Sequence, residues 1–329
     1  MDIYFEPEYG KLNEKMEGGV LETFRFTCEY GTVQSMYIKC ETPFLVDGEQ
    51  FYDAVTPYGY GGPVIVECSD RKRLVDSYGA AYRKYCKDNK IVCEFVRFHP
   101  LEKNALDFAE VYEANYNRHT IAIDLTDDNY SAVQFTPDCR NMIRKAAKKG
   151  VRVEVDTECE HLDDFIRMYY ATMDKNGASD YYYFSKEYFE KLRSLDKCKL
   201  VLINGYVGEE IISSSMFMCA EKYMHYHLAA TNADYYSYSA NNIILAKAVE
   251  YGREMGLEWL HLGGGLSASD KDNLFKFKRN FGRRENNLKD FYQGKAVFMP
   301  GIYAELCRIA KESGIENNGF FPAYRKAHR

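Results

Sequence analysis

The stretch LGGGLSASDKDNLFKFKRNFG, Leu262–Gly282, holds three consecutive glycines, two serines and four basic residues. Glycines that follow a strand let a ligand approach the backbone closely, and loops that open a helix can hold an anion on free backbone amides. The P-loop spacing GxxxxGK[ST] is absent, because no Lys-Ser/Thr closes it, and GxGxxG fails as well. A sharp strand-to-helix turn is the alternative role for Gly263–Gly265. The helix behind the loop carries more chemistry. Leu274, Phe277 and Phe281 fall at i, i+3 and i+7, which predicts one buried face. Lys278 stands one residue past it. A lysine at the edge of a core can aim its ammonium into a cleft and neutralise a developing oxyanion or a phosphate; pointing to water is the bland alternative.

Other candidates are weaker. His225 and His227 alternate on one segment, so a strand would turn both to one face. No carboxylate or cysteine is spaced to complete a metal site with them, and no metal is expected. Basic residues cluster in RNMIRKAAKKGVR, Arg140–Arg152, and in KFKRNFGRR, Lys276–Arg284. Either could be a solvated helix face or an anion-binding surface. Tyrosine-rich runs, DYYYF at 180–184 and DYYSYS at 234–239, could line a cleft for a sugar or a peptide, or could sit at core edges.

The elements that must position these residues are legible in outline. GVLETFRFTC and TVQSMYIKC alternate around EYG and predict a hairpin. A Gly/Pro/Tyr loop, YDAVTPYGYGGPVIVE, runs into a strand. Residues 1 to about 125 read β-β-loop-β-α-β-β. Thr136 and Pro137 open a helix that Gly150 stops. Gly177 ends a second helix, and Ser185 caps a third. Three strands follow (KLVLIN, EIISSSMFMC, KYMHYHLAA), then a helix over roughly Ser239–Met255 that Gly256 stops. The short strand LEWLHL delivers the glycines, and Ser269 or Asp270 is expected to cap the last helix of this block, with Gly282 ending it. The tail returns a strand near AVFMP and a helix, GIYAELCRIAKES, which must pack back on the first block to bury their faces.

Bulk properties narrow the function. The 329 residues suit two subdomains or one large domain. A net charge of −6 excludes a globally basic nucleic-acid binder. The ten cysteines form no CxxC, which fits a reducing cytoplasm and thiols used as small core residues. No secretory leader or membrane span is expected at the acidic start MDIYFEPEYG or elsewhere.

The ordered set TPYGYGGPV, RNMIRKAAKKGV, FIRMYYATMDKNG, YFSKEYFEKL, YMHYHLAATNADYYSYSANNIILAKAVEYGREMGLEWLHLGGG and LFKFKRNFG resembles the FemAB-like peptidoglycan interpeptide-bridge aminoacyltransferases, within the GNAT-like acyltransferases, from about Thr56 to Gly282. The resemblance implies an α+β fold of two GNAT-like domains, each a mixed, mostly antiparallel sheet flanked by helices. The first would span 1–125 and be completed by the tail 285–329; the second would span 126–284. It implies transfer of an amino acid from aminoacyl-tRNA to an amine of a UDP-linked or lipid-linked muropeptide, with no cofactor and no stable membrane insertion.

By the same resemblance Lys278 would stabilise the developing negative charge. Tyr58, Tyr60, Gly62, Tyr188, Tyr226, His227, Gly263, Gly264 and Phe277 would bind substrate. Arg140, Arg144, Lys145, Lys276 and Arg279 would meet tRNA or its phosphates. Val66 stands near the place where members with the bridge-forming activity often carry an acidic residue, with Glu67 one residue off, and Tyr183 or Phe184 stands where many carry an arginine. Two other functions stay open: an acyl-coenzyme A-dependent N-acyltransferase acting on an amino sugar or small amine, and a non-catalytic muropeptide- or tRNA-binding relative. Against the first, TNADYYSYSAN before the 239–255 helix has no Gly, Lys or Arg to hold a pyrophosphate.

Overall fold

The computed structural model describes residues 1–315 and 319–326. In chain order the strands and longer helices are β1 (Gly19–Cys28), β2 (Gly31–Glu41), β3 (Tyr52–Val55), β4 (Val64–Cys68), α1 (Arg71–Asp88), β5 (Ile91–Arg97), β6 (Asn115–Asp124), α2 (Pro137–Lys148), β7 (Arg152–Asp156), α3 (Leu162–Asn176), α4 (Lys186–Arg193), β8 (Lys199–Val207), β9 (Glu210–Ala220), β10 (Tyr223–Thr231), α5 (Ala240–Glu254), β11 (Trp259–Gly263), α6 (Asn273–Arg279), β12 (Leu288–Val297) and α7 (Pro300–Glu312). They form two compact units: Tyr4–Asn117 with Asp290–Arg329, and Met1–Ile3 with Arg118–Lys289.

In the unit that begins at Tyr4, the expected hairpin is β1–β2, paired antiparallel from Gly19↔Cys40 to Cys28↔Gly31. The strand order runs β1-β2-β3-β5-β12, with β4 also on β2. Two findings correct the sequence reading. Tyr52–Val55 is a strand, not loop: it pairs antiparallel with β2 and parallel with β5. Short helices occupy Pro7–Leu12 and Glu14–Glu17, where no element was expected. Helix α1 packs on β1, β2 and β5. It starts at Asp70, whose carboxylate accepts from the Arg73 amide.

The core of this unit is rich in tyrosine and buries a carboxylate. Glu94 is fully buried; Tyr82 Oη donates to its Oε2 at 3.0 Å, and its Oε1 has no hydrogen-bond partner. Burial pushes the carboxyl up to about 7, against the pull of the Tyr82 and Tyr112 phenols. The unfolded chain therefore loses its Glu94 proton near pH 4.5, while the folded chain keeps it to about 7. Between these values the unfolded state binds fewer protons, so stability falls as pH rises and then levels off. The gap amounts to about 3 kcal/mol. Glu94→Gln, neutral at every pH, should gain on the wild type in thermal melts between pH 5 and 8. A difference in melting temperature that does not change with pH would contradict this.

In the unit that holds Arg118–Lys289, the strand order runs β6-β11-β10-β9-β8-β7. All pairs are antiparallel except β10–β11, which runs parallel over Tyr223–His225 and Trp259–His261. Local signals set the helices. Thr136 Oγ1 accepts from the Cys139 amide and Pro137 opens α2. Ser185 caps α4 through the Tyr188 amide. Gly177 and Gly256 take the left-handed conformation, φ 58° and 71°, that stops a helix without a Cβ clash. Helices α2 and α5 pack together, α5 lies on β7, β8, β9 and β11, and α3 lies on β9 and β10. Ile203, Phe217, Leu245, Val249 and Leu260 form the centre of this core.

Candidate active site

Parallel strands joined through a helix can part beyond their shared register, and β10 and β11 do so here. Their pairing stops at His225↔His261, whereas β10 runs on to Thr231 and β11 to Gly263. The residues of interest gather where the two strands separate. Gly263 has φ 73°, a conformation that favours glycine. A Cβ on Gly265 would crowd the Asp272 carboxylate and Phe275. Arg118 Nη1 ties the loop down by donating to Gly265 O at 3.0 Å and Ser267 O at 3.1 Å.

Helix α6 is capped by Asp272, not by Ser269 or Asp270, and it ends at Arg279 with Asn280 as its C-cap rather than at Gly282. Asp272 Oδ1 accepts from the Phe275 amide at 2.9 Å, and Oδ2 accepts from the Ser267 amide at 3.0 Å. These bonds hold the carboxyl below its usual range. Because one side chain satisfies both the loop and the helix start, it sets the helical phase. The buried face consequently runs through Phe275, Lys278 and Phe281, while Leu274 and Phe277 are only partly covered. Lys278 lies on the buried face itself, not beside it.

Lys278 is 8% exposed. Its Nζ donates to Gly264 O at 2.8 Å and sits 5.7 Å from the centre of the Tyr226 ring. Burial lowers the ammonium to about 8; the Asp272 charge pulls the other way. An ammonium has three donors, so one bond to Gly264 leaves the group able to serve a second acceptor. Tyr226 stacks on Phe217 at 28°, and burial raises its phenol to about 12, so it is a neutral donor.

The other expected residues fall into separate groups. Tyr188 Oη and His227 Nε2 are 3.1 Å apart, and Phe184 stacks on Tyr188 at 4.5 Å. Phe184 is buried and its ring is spent on this stack, so the position carries no charge. His225 faces the buried Asp2 carboxylate at 2.9 Å. Arg140 turns inward and donates to Phe135 O at 2.6 Å and Ser131 O at 3.1 Å. Arg279 likewise donates to Gly282 O and Arg284 O. Both guanidiniums brace the backbone, while Arg144, Lys145 and Lys276 stand exposed.

Tyr58, Tyr60 and Gly62 belong to the unit that begins at Tyr4. There Tyr9 Oη donates to Tyr58 O at 2.9 Å, Tyr60 meets the rings of Tyr4 and Phe291 edge-on, and Asn104 Nδ2 holds Gly61 O and Pro63 O. Gly62, at φ 87°, has no room for a Cβ beside Val96. Val66 is exposed on β4. An open groove of about 660 Å³ in the Arg118–Lys289 unit lies elsewhere, between α3, the β8–β9 turn and residues 231–236. Asp234 and Tyr236, from the tyrosine-rich run at 234–239, line it, whereas the residues expected to bind substrate or tRNA do not.

Comparison with known proteins agrees with this architecture. The family model described as "Acetyltransferase (GNAT) domain" matches residues 135–279. Among solved structures, FemX superposes with a TM-score of 0.67 at 13% identity, over 92% of this chain and 94% of its own. L-PGS from Bacillus licheniformis gives 0.56 at 12% identity, over 89% and 93%. The C-terminal domain of a putative lysylphosphatidylglycerol synthetase from Agrobacterium fabrum gives 0.51 at 15%, over 83% and 84%. No curated protein sequence matches the chain. Residues 135–279 are an acyltransferase domain of the GNAT type, and the chain as a whole has the α+β fold of FemX.

Proposed function

We propose that this FemAB-like transferase moves an aminoacyl group from aminoacyl-tRNA to an amine of a peptidoglycan precursor peptide. One observation carries the reading: a buried ammonium, Lys278, at the mouth between β10 and β11, beside a glycine loop that lets a ligand approach. The ester of a charged tRNA is already activated, so the protein needs no nucleophile of its own. It must hold a neutral amine against the ester carbonyl and stabilise the tetrahedral oxyanion. The C–N bond forms and the carbonyl electron pair moves onto oxygen near Lys278 Nζ. As that pair returns, the C–O bond to the ribose breaks and one proton passes from the new amide nitrogen to the ribose oxygen, giving an amide and a free hydroxyl.

The donor end favours tRNA over a coenzyme A thioester. The segment entering α5 has no Gly, Lys or Arg from Thr231 to Asn241. Asn241, in the first turn, is already bonded to Ser213 and Thr231. FemX supports the reading by fold alone. The similar structure named for lysylphosphatidylglycerol makes a lipid acceptor the natural control.

The test is a donor and acceptor screen. Purified protein with charged tRNA and a UDP-linked or lipid-linked muropeptide should yield an amide adduct, read by mass. Product from acyl-coenzyme A instead would select the N-acyltransferase reading, and product only on phosphatidylglycerol vesicles would change the acceptor. No adduct with any charged tRNA rejects the proposal. Among the described residues no helix is long and apolar enough to cross a membrane.

A further inference from the structure

The loop between β11 and α6 contains no strand or helix of its own, so side chains must set its path. Its carbonyls are taken by cations. Gly264 O accepts from Lys278 Nζ at 2.8 Å, and Gly265 O and Ser267 O accept from Arg118 Nη1 at 3.0 and 3.1 Å. Ser267 turns its donors to Asp272: its amide and hydroxyl reach Oδ2 at 3.0 and 3.2 Å, while Oδ1 takes the Phe275 amide of α6 at 2.9 Å. The carboxylate also fills the space beside Gly265, where a Cβ would overlap Asp272 Oδ1. Asp272 therefore packs against the residue next to the lysine's acceptor and caps the helix that carries the lysine.

A lysine that stabilises an oxyanion has two requirements: its nitrogen must stand where the charge develops, and it must keep its proton. Burial opposes the second. We infer that Asp272 is a positioning residue of the transfer reaction: through the loop it fixes Lys278 Nζ on Gly264 O, and by its charge it keeps that nitrogen an ammonium while the oxyanion forms. The inference rests on the aminoacyl-transfer reading. It adds no step to the chemistry, since no bond to Asp272 forms or breaks.

The charges around Lys278 single out this carboxylate. Asp272 is the charged group that acts on the lysine, and it opposes the fall that burial causes. From β10 the lysine meets the neutral Tyr226 phenol. The neighbours Arg118 on β6 and Lys276 and Arg279 on α6 are themselves cations. Asp272 is ionised at any working pH, because the Phe275 and Ser267 donors hold its carboxyl low. The sign with pH follows. Burial brings Lys278 down to about 8 even with Asp272 in place, so without that charge the ammonium is lost at lower pH. Well below this window both proteins hold a charged lysine; above it the variant holds less of it.

The experiment compares Asp272→Asn with wild type. Asparagine caps a helix as well as aspartate does, so the start of α6 keeps its acceptor while the charge is removed. Single-turnover transfer from charged tRNA to the muropeptide is followed from pH 6 to 10. The ratio of variant to wild-type rate cancels the titration of the acceptor amine. That ratio should lie below one at pH 6, because the Ser267 bonds are lost, and drop about fivefold further by pH 9, the size of an ion pair that water partly screens. A second readout needs no reaction: trace labelling with acetic anhydride over the same range, read by mass on the Lys278 peptide. Its midpoint should move to lower pH in the variant. A rate ratio that is constant with pH, or an unmoved labelling midpoint, overturns the inference and leaves Asp272 a helix cap. If Asp272→Asn does not fold, Asp272→Ser, another capping residue, decides by the same two readouts. A wild type that forms no adduct rejects the aminoacyl-transfer reading, and the role in transfer falls with it whatever the labelling shows.

Discussion

Lys278→Met should have two opposite effects: slower transfer by about 10²–10³-fold, and a higher melting temperature at neutral pH. The rate loss follows from removing the cation nearest the developing oxyanion. The stability gain follows from the cost of burying it. Folded Lys278 titrates near 8, against 10.5 for a free lysine. Between those values the unfolded chain holds a proton that the folded chain has released, so stability rises with pH across that window. At pH 7 both states are charged, and the folded state bears the full penalty, about 3 kcal/mol.

Methionine has a similar reach and no charge. Its introduction also removes the charged donor to Gly264 O, worth about 1.5–3 kcal/mol, which relief of the charge exceeds by a small margin. Melts at pH 7 and pH 10 check this: the advantage of Lys278→Met should be measurable at the first and gone at the second. Wild-type transfer should also weaken as pH climbs through 8, once the acceptor amine is already neutral. A variant that transfers at the wild-type rate would remove Lys278 from the mechanism. One equally destabilised at both pH values would mean that the Gly264 bond outweighs the buried charge.

Local chemistry was the part of this fold that the sequence disclosed well. Thr136 with Pro137, Ser185, Gly177 and Gly256 all act within a few residues of themselves, and each performs the capping or stopping role its type suggests. What depended on distant partners was hidden. Tyr52–Val55 is four residues long, and its strand character comes from β2 and β5 on either side. The bulge at His227, between Tyr226 and Leu228, exists only relative to β9. Asp2 and His225 are joined across the length of the chain. The buried face of α6 lies one residue from the one the Leu274, Phe277 and Phe281 spacing suggests, and its cap is Asp272, not Ser269 or Asp270. Its second set of bonds, to Ser267, singles it out. Arg140 and Arg279 read as surface charge because a sequence does not show which arginines meet unpaired carbonyls. The passage of the chain between units, at Asn117/Arg118 and Lys289/Asp290, falls inside β6 and β12, so no linker composition marks it.

That distant logic makes Arg325→Ala the variant expected to cost the most stability. The C-terminal segment returns to the unit of β3, where Arg325 Nε donates to Asp53 Oδ2 at 2.7 Å and Tyr324 Oη donates to the same oxygen at 3.0 Å. Asp53 is 3% exposed. Burial raises its carboxyl, and Arg325 is the charge that opposes the rise. Removing one partner of a buried ion pair costs about 3–5 kcal/mol, because the remaining charge has no counterion. The sign with pH is fixed: an Asp53 held still higher in the folded variant keeps its proton where the unfolded chain has lost it. The variant should therefore lose most stability at pH 8 and recover much of it at pH 5. Asp53→Asn alone strands the guanidinium, which is partly exposed at 28% and can reach water, so its cost should be smaller. Combining the two should cost less than the sum of the single changes, since each removes the partner that makes the other costly. Denaturant melts of the four proteins at both pH values give the coupling directly, and strict additivity would show that the tail is held by Tyr324 and its neighbours instead.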